Sequence, residues 1–326
     1  MADEGAPGAQ GARPDPLRVM ALVAVPREAA ATRYRLYQFV EPLARRGIEL
    51  RVRPFLDAPT FAGLYDRAAL ARTAAGAARG LIRVAAGILD RTPTDLIVVQ
   101  REALLLGPPV VEWLSLRRYG CPLLLDLDDA TYVRYVSPTY PLLGRLVKWP
   151  AKTDTLIRWA AVVTCGNDRI AAHVADAGTA PVVLPTVVDT DLFRPRTGGD
   201  GDPIVLGWVG SHSTFPYLVA LAPVLRALAG EAKFRLRVVG SGQRDIRFDG
   251  VDVETVDWDL DREVDDFRSF DVGLYPVVED EWSVGKSGLK AIQYMAVGIP
   301  YVAAPVGAAG SVGEPGVTHL CARTPE

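Results

Sequence analysis

Residues Trp282–Ala303 read WSVGKSGLKAIQYMAVGIPYVA. Gly285, Lys286, Ser287 and Gly288 open a helix predicted over about Ser287–Val297, Gly298-Ile299-Pro300 ends it, and an apolar run follows. Another apolar run, FDVGLYP at Phe270–Pro276, lies upstream. Short strands that are apolar throughout need helices over both faces, so this strand–helix–strand passage belongs to a parallel sheet. In such sheets the helix starts lie at the carboxyl ends of the strands, where ligands bind. Free amides, the helix dipole and the Lys286 ammonium would favour a phosphate-like anion there, each by about 0.3–1 kcal/mol. The plainer alternative is a surface lysine beside a flexible loop. Lys290 and Gln293 share a face of the same helix.

The rhythm extends in both directions. From Leu17 the strands LRVMALVAV, IELRVRPF, DLIVVQ, PLLLDLDD, AAVVTC and PVVLPTVV alternate with helical stretches, among them Tyr34–Gly47, an Ala/Arg-rich run between Asp66 and Arg91, about Leu142–Trp159, and Asn167–Ala177. RTGGDGDP at Arg196–Pro203 then has the composition of an exposed connection. Beyond it IVLGWVGS, FRLRVVGSG, VDVETV, FDVGLYPV and PYVAAPVG repeat the pattern. The expected α/β fold therefore has two facing doubly wound parallel-sheet domains. Residues 1–16 form a disordered lead-in rich in Gly, Ala and Pro, 17–195 the first domain, 196–203 a linker and 204–326 the second domain.

Composition narrows the function. Of 326 residues 49% are apolar, and 36 Lys+Arg face 39 Asp+Glu, which excludes a disordered or histone-like chain and removes nucleic acid as the default partner. Charge is uneven: 24 basic against 20 acidic residues up to Pro195, and 12 against 19 after it. Cys121, Cys165 and Cys321 are widely separated and only three histidines are present, which argues against a zinc site or disulfide framework and fits a reducing cytoplasm. No run reaches the roughly 18–20 apolar residues of a membrane span.

Other candidate residues follow strands. Gly210-Ser211-His212-Ser213-Thr214 after IVLGWV, and Gly240 after FRLRVV, are small-residue turns whose amides either meet a phosphate or simply pack a β-α unit. His212 is placed to touch a phosphate or base, whereas His173 reads as a surface or structural residue. Asp126-Leu127-Asp128-Asp129 ends an apolar strand at the crevice. Crowded carboxylates raise one another's pKa, which suits a group that takes a proton from a hydroxyl. The alternative is helix capping with ion pairs to Arg33, Arg35 or Arg101. Arg72, Arg79 and Arg83 form one helical stripe opposite Leu81, Val84 and Ile88, either a solvated basic face or one that approaches anionic lipid.

The helix segment at Trp282–Ala303 resembles the donor-binding helix of the group 1 (family 4-like) retaining glycosyltransferases, whose two Rossmann-like domains form the GT-B fold. TRYRLYQ at Thr32–Gln38 with LARRGI, PTVVDTDLFRP at Pro185–Pro195, Gly210-Ser211, VGSG at Val239–Gly242 and FDVGLYP fall in that family's order, so the resemblance spans nearly the whole chain from Leu17. It implies a retaining, metal-independent hexosyl transfer from a nucleotide-diphosphate sugar, a UDP- or GDP-sugar, to a glycan, lipid-linked or small-molecule acceptor. No other cofactor is implied. It places the donor on Gly210, Ser211, Gly240, Gly285, Lys286, Ser287, Gly288, Leu289 and Gln293, and the acceptor or diphosphate side on Thr32, Arg33, Arg35 and Arg101. Asp126 and Asp128 take the catalytic location, and the enzyme works in the cytoplasm or peripherally at its membrane.

Three departures stand out. The family's glutamate pair falls on Gly285 and Gln293, neither acidic, and the basic pair after the Gly210 strand is missing, a cation that Lys286 replaces. The family's usual C-terminal helices are missing or shortened. Three further readings stay open: a nucleotide-sugar-binding protein without transfer activity, an Asp-x-Asp metal site, and an aspartate-based phosphohydrolase. In the last, a threonine usually stands where Ala130 does.

Overall fold

The computed structural model describes residues 15–64, 66–133, 149, 151–198 and 202–323. The lead-in up to residue 14, the predicted helical residues 142–148 and residues 199–201 of the expected linker lie outside these.

Two parallel six-stranded sheets form the frame. The first contains β1 (Leu17–Val23), β2 (Ile48–Pro54), β3 (Leu96–Gln100), β4 (Leu123–Leu127), β5 (Val162–Cys165) and β6 (Pro181–Val183), in the order β2-β1-β3-β4-β5-β6. The second contains β7 (Ile204–Val209), β8 (Phe234–Val239), β9 (Asp252–Val256), β10 (Val272–Tyr275), β11 (Tyr301–Ala303) and β12 (His319–Cys321), in the order β12-β11-β10-β7-β8-β9. Helices fill the connections: α1 (Ala30–Arg35), α2 (Val40–Ala44), α3 (Ala58–Ala62), α4 (Leu70–Leu89), α5 (Val110–Tyr119), α6 (Ala151–Trp159), α7 (Asp168–Asp176), α8 (Phe215–Val219), α9 (Ala222–Glu231), α10 (Glu263–Arg268) and α11 (Leu289–Ala296). Strand order reverses between β1 and β3 in one sheet and between β7 and β10 in the other, so each sheet opens a ligand crevice at those carboxyl ends.

Three expectations change. The single helix over Tyr34–Gly47 is instead α1, a 3-10 turn at Tyr37–Phe39 and α2. Pro42 lacks the amide needed to continue a helix but is tolerated in a first turn, where it falls in α2. The helix expected from Ser287 begins at Leu289. β12 was not anticipated; its three residues carry too short a pattern to read.

The apolar face expected on α4 is also rearranged. Gly76 and Gly80 press against the protein, since a Cβ there would stand 2.0 Å from Thr60 Oγ1 and 2.5 Å from the Phe55 carbonyl. This turns Leu81, Ile82 and Leu89 outward, 52%, 70% and 76% exposed, whereas Val84 packs on the first core. Arg83 donates to the Phe55 carbonyl (2.9 Å) and to Asp57 (3.1 Å).

Each sheet has its own core, but the chain crosses between them. Tyr34 of α1 and Phe193 pack in the second core with Phe267, Phe270 and Tyr294. Phe193, placed by sequence in the first domain, thus belongs to the second by packing. The two lobes meet at α1.

Candidate functional site between the lobes

The start of α11 is built for an anion. Gly288 precedes it with φ 69°, and no side chain caps it. The helical ladder begins with Ile292 donating to the Gly288 carbonyl (3.3 Å), leaving the amides of Leu289, Lys290 and Ala291 ahead of it. Lys286 lies just before this turn, its Nζ 3.9 Å from the Trp282 ring centroid and 5.4 Å from that of Tyr217. Lys290 lies in the turn itself, where a cation opposes the helix dipole. Burial pushes Lys290 down to about 8, against the pull of Glu263, with Lys286 and Arg33 lowering it further. Burial likewise lowers Lys286, opposed by Asp129 and Asp280. Cations held in such surroundings gain most from a bound anion.

The first lobe reaches this loop from β4 and α7. Asn167 caps α7 by accepting from the Ile170 amide (2.9 Å), and donates its own side-chain amide to the carbonyls of Gly285 (2.9 Å) and Lys286 (3.2 Å). A Cβ at Gly285 would stand 2.6 Å from the Ala130 Cβ, so residue 285 has no room for a side chain while the lobes hold this arrangement.

The acidic turn after β4 is divided by its arginines. Asp126, 5% exposed, is ion-paired with Arg35 through both guanidinium nitrogens Nε (3.0 Å) and Nη2, and accepts from Thr164 (2.7 Å). Asp128 accepts a bidentate pair from Arg101 (2.6 and 2.7 Å). Burial raises Asp126; at Asp128 burial is again the largest influence, but Arg101 and Arg35 together hold that carboxyl below the usual range. Arg101 takes this position with φ 59°, a left-handed conformation costly for a residue with a Cβ, at the switch point of the first sheet. Asp129 is different: among the described residues it has the Arg101 ion pair at 3.5 Å and its neighbour Ala130's amide (3.0 Å), and it lies within electrostatic reach of Lys286. Burial raises its pKa. It is the acid of the three with acceptor capacity to spare.

On the other side of α11 the lobes are joined by α1. Glu263 of α10 accepts from Arg33 (2.7 Å) and the Tyr34 hydroxyl (2.8 Å), and Gln293 donates to that hydroxyl (2.9 Å). Gln293 is 1% exposed, so its amide is committed inside the protein. Thr32 is buried and donates to Gln100 (3.1 Å) and the Val25 carbonyl (3.2 Å). Gly210 lies in the turn after β7; its amide donates to the Val239 carbonyl (3.0 Å), and the Ser211 amide is taken by Thr214 Oγ1 (3.0 Å). Gly240 must be glycine, with φ 76° and the Gly210 carbonyl 2.6 Å from a Cβ position. His212 is half-buried, with its pKa lowered by burial. His173 donates from Nε2 to Asp154 (2.9 Å) and its ring stacks on that of Tyr132.

The structure thus gathers Lys286, Ser287, Gly288 and Leu289 with Asp129, Asn167 and Lys290, and engages Arg35, Arg101, Asp126 and Asp128 in ion pairs of the first lobe. Glu263 and Asn167 were not singled out in the sequence, because an isolated Glu or Asn at a helix start reads as an ordinary cap. Among the described residues no group of three or more His, Cys, Asp or Glu converges as metal ligands.

The sequence matches no protein-family model and no curated protein. Solved structures do match. HepE of Anabaena, in complex with UDP and glucose, superposes over 95% of this chain and 86% of its own at 16% identity with a TM-score of 0.60. A glycosyltransferase from Rickettsia africae covers 96% of this chain and 86% of its own at 11% identity, TM-score 0.64. The chain has the GT-B fold. The lipopolysaccharide outer core galactosyltransferase WaaB, in its apo form, shares GT-B architecture over 95% of this chain and 87% of its own at 13% identity, TM-score 0.52. In GT-B terms, the α11 turn and the acidic turn after β4 face each other across the interlobe cleft.

Proposed function

We propose that this chain is a glycosyltransferase that moves a sugar from a nucleotide-diphosphate sugar to an acceptor with retention and without a metal ion. The observation that carries the reading is the uncapped, lysine-flanked start of α11, met from the opposite lobe by Asn167 and the Asp128–Asp129 turn, in a GT-B frame. The neighbour HepE is in complex with UDP and glucose, which supports a nucleotide sugar as the ligand class.

The chemistry follows from charge. When the sugar–phosphate bond breaks, negative charge grows on the leaving diphosphate, and Lys286, Lys290 and the free amides are set where they stabilise it. Cations already deprived of water gain more from that charge than solvated ones. With Arg35 and Arg101 neutralising Asp126 and Asp128, those carboxylates are poor ligands for a divalent ion. A front-face route fits: the leaving diphosphate takes the acceptor's proton while the new bond forms on the face the old one leaves, and the lobes align the partners and exclude water.

The outer face of α4 supports a lipid surface on the acceptor side. This helix of 20 residues contains no acidic residue, presents Leu81, Ile82 and Leu89 to solvent, and flanks the Ile82 and Leu89 side of that face with Arg72 and Arg79. Apolar side chains beside unpaired guanidinium groups complement an anionic bilayer. No described helix is long and apolar enough to cross a membrane.

A thermal-shift panel of nucleoside diphosphates and nucleotide sugars tests the proposal. A true donor at 100 times its Kd should add about 2.7 kcal/mol of stability, and labelled sugar should pass to an acceptor in the presence of EDTA. No shift with any nucleotide would defeat the reading. Transfer abolished by EDTA and restored by Mn²⁺ would defeat metal independence.

A further inference from the structure

Glu263 is a buried carboxylate that Arg33 pairs with directly and that acts on Lys290. It is 7% exposed and sits on the first turn of α10 in the second lobe. Arg33, 8% exposed, donates to it at 2.7 Å, and the Tyr34 hydroxyl at 2.8 Å, both from α1 of the first lobe. Gln293 of α11 completes the ring, 2.9 Å from the Tyr34 hydroxyl and 3.4 Å from Glu263. The Arg33 guanidinium is held 4.9 Å from the Tyr34 ring centroid and 5.1 Å from that of Trp258, and donates to the Arg27 (2.9 Å) and Glu28 (3.0 Å) carbonyls. The Tyr34 ring itself is packed into the second lobe's core. A segment of one lobe is therefore plugged into the other and fixed there by a charged, buried bond.

Lys290 stands one turn before Gln293 on the same face of α11, where Gln293 Nε2 is 3.4 Å from Glu263, and so lies within electrostatic reach of the same carboxylate. The charged groups acting on it are Glu263 from α10, Arg33 from α1 and Lys286 from the loop before α11, so two cations oppose its protonation and one anion supports it. Arg33 and Lys290 draw on one negative charge.

We propose that Glu263 is a positioning residue with two linked tasks: it clasps α1 of the first lobe to the second, and it keeps the Lys290 ammonium charged and available to a ligand phosphate. The second task rests on the glycosyl-transfer reading; the first does not. Without ligand, the clasp holds the lobes together at the α1 side. Motion of the lobes then has to turn about the ends of α1.

The two tasks give opposite signs for two substitutions. Glu263→Gln keeps the side chain's shape but removes the negative charge, so Lys290 loses its support. Arg33→Met breaks the clasp from the other side but leaves Glu263 wholly to Lys290. The experiment measures UDP and UDP-glucose affinity of the full chain by titration calorimetry from pH 6.5 to 9.5, and the radius of gyration of the unliganded chain by small-angle scattering. In the wild type, affinity is expected to fall on the alkaline side. Glu263→Gln should move that fall to lower pH by about one unit, and Arg33→Met should move it to higher pH, while both enlarge the unliganded radius. A purely structural role would weaken both variants without moving the pH profile in opposite senses.

Unchanged radius in both variants overturns the clasp. Profiles that stay put, or shift in the same direction, overturn the support of Lys290. Wild-type chain that binds no nucleoside diphosphate and no nucleotide sugar overturns the transferase reading and the Lys290 task with it, and the scattering comparison still decides the clasp. Should Glu263→Gln fail to fold, Tyr34→Phe keeps the ring in the core and removes one bond of the clasp. Its radius should then exceed the wild type's, and an equal radius overturns the clasp.

Discussion

Asn167 of the first lobe holds the carbonyl of Lys286 in the second, donating to it at 3.2 Å while also bonding the Gly285 carbonyl at 2.9 Å. One side chain thus caps α7 and fixes the loop that aims a lysine into the cleft. Asn167→Asp separates these functions, because aspartate caps a helix as well as asparagine but has no amide to donate. The carboxylate would face two carbonyl oxygens. Losing two part-buried hydrogen bonds of about 1 kcal/mol each should lower the melting temperature, and releasing the loop that presents Lys286 should weaken nucleotide binding about tenfold. A lowered melting temperature with unchanged affinity would show a structural bond between the lobes and nothing more.

Lys286→Ala should weaken nucleotide-sugar binding by about tenfold or more, the order expected for a charge-assisted phosphate contact. Lys286 also stacks on Trp282 at 3.9 Å, so indole fluorescence offers a second readout of the same variant. Calorimetric titration with the wild type and variant checks it. Unchanged affinity would remove Lys286 from the site.

Lys290 gives a pH signature. Its folded pKa is pushed down to about 8 from the ordinary 10.5. Between those values the unfolded chain binds more protons than the folded one, so this group's contribution to stability rises as pH climbs from about 8 to 10.5 and is a penalty below 8. A bound diphosphate should restore the proton. Binding near pH 8 should therefore take up protons, read as a buffer-dependent heat in calorimetry, and Lys290→Met should abolish both that uptake and the alkaline rise in stability.

Much of the fold was legible because its strands are buried on both faces: the runs VMALV of β1 and LIVV of β3 are apolar throughout, and such runs have few other homes. The split of α1 from α2 was signalled by Pro42, yet the helical period on either side masked it. The cleft was legible at Lys286, where glycine, lysine and a helix start coincide. Its cross-lobe half was not. Glu263 and Asn167 lie far in sequence from what they touch, and nothing local distinguishes a clasp from a cap. The acids at Asp126 and Asp128 stood out as a cluster, but only the fold reveals that Arg35 and Arg101 occupy them and leave Asp129 less engaged.

Gly285 is explained by the same cross-lobe packing. A Cβ there would meet Ala130 at 2.6 Å, so the position tolerates no side chain with the lobes as they are. Gly285→Ala should cost about 1–3 kcal/mol of stability as an overpacked contact, or push the lobes apart and weaken nucleotide-sugar binding. Ala130→Gly removes the opposing methyl. If the two residues touch, the double variant should recover most of what Gly285→Ala alone loses, measured as melting temperature and affinity in a double-mutant cycle. Additive losses would place the strain elsewhere.

The α4 face makes the last prediction. Gly76 and Gly80 let the helix seat closely, and that seating turns Leu81, Ile82 and Leu89 outward, with Arg72 and Arg79 flanking the Ile82 and Leu89 side. Such a surface should partition onto vesicles containing anionic lipid and hardly at all onto zwitterionic ones, with binding weakened by salt because guanidinium–headgroup attraction is screened. Arg72→Glu with Arg79→Glu should abolish co-sedimentation at low salt, since each cation near such a surface contributes about 1 kcal/mol and reversal doubles the loss. Ile82→Ser with Leu89→Ser should weaken it through lost apolar contact and leave its salt dependence intact. Neither pair touches the cleft, so nucleotide affinity should be unchanged. Self-association of the wild type that the serine pair disrupts, without any vesicle binding, would assign this face to a second copy of the chain instead.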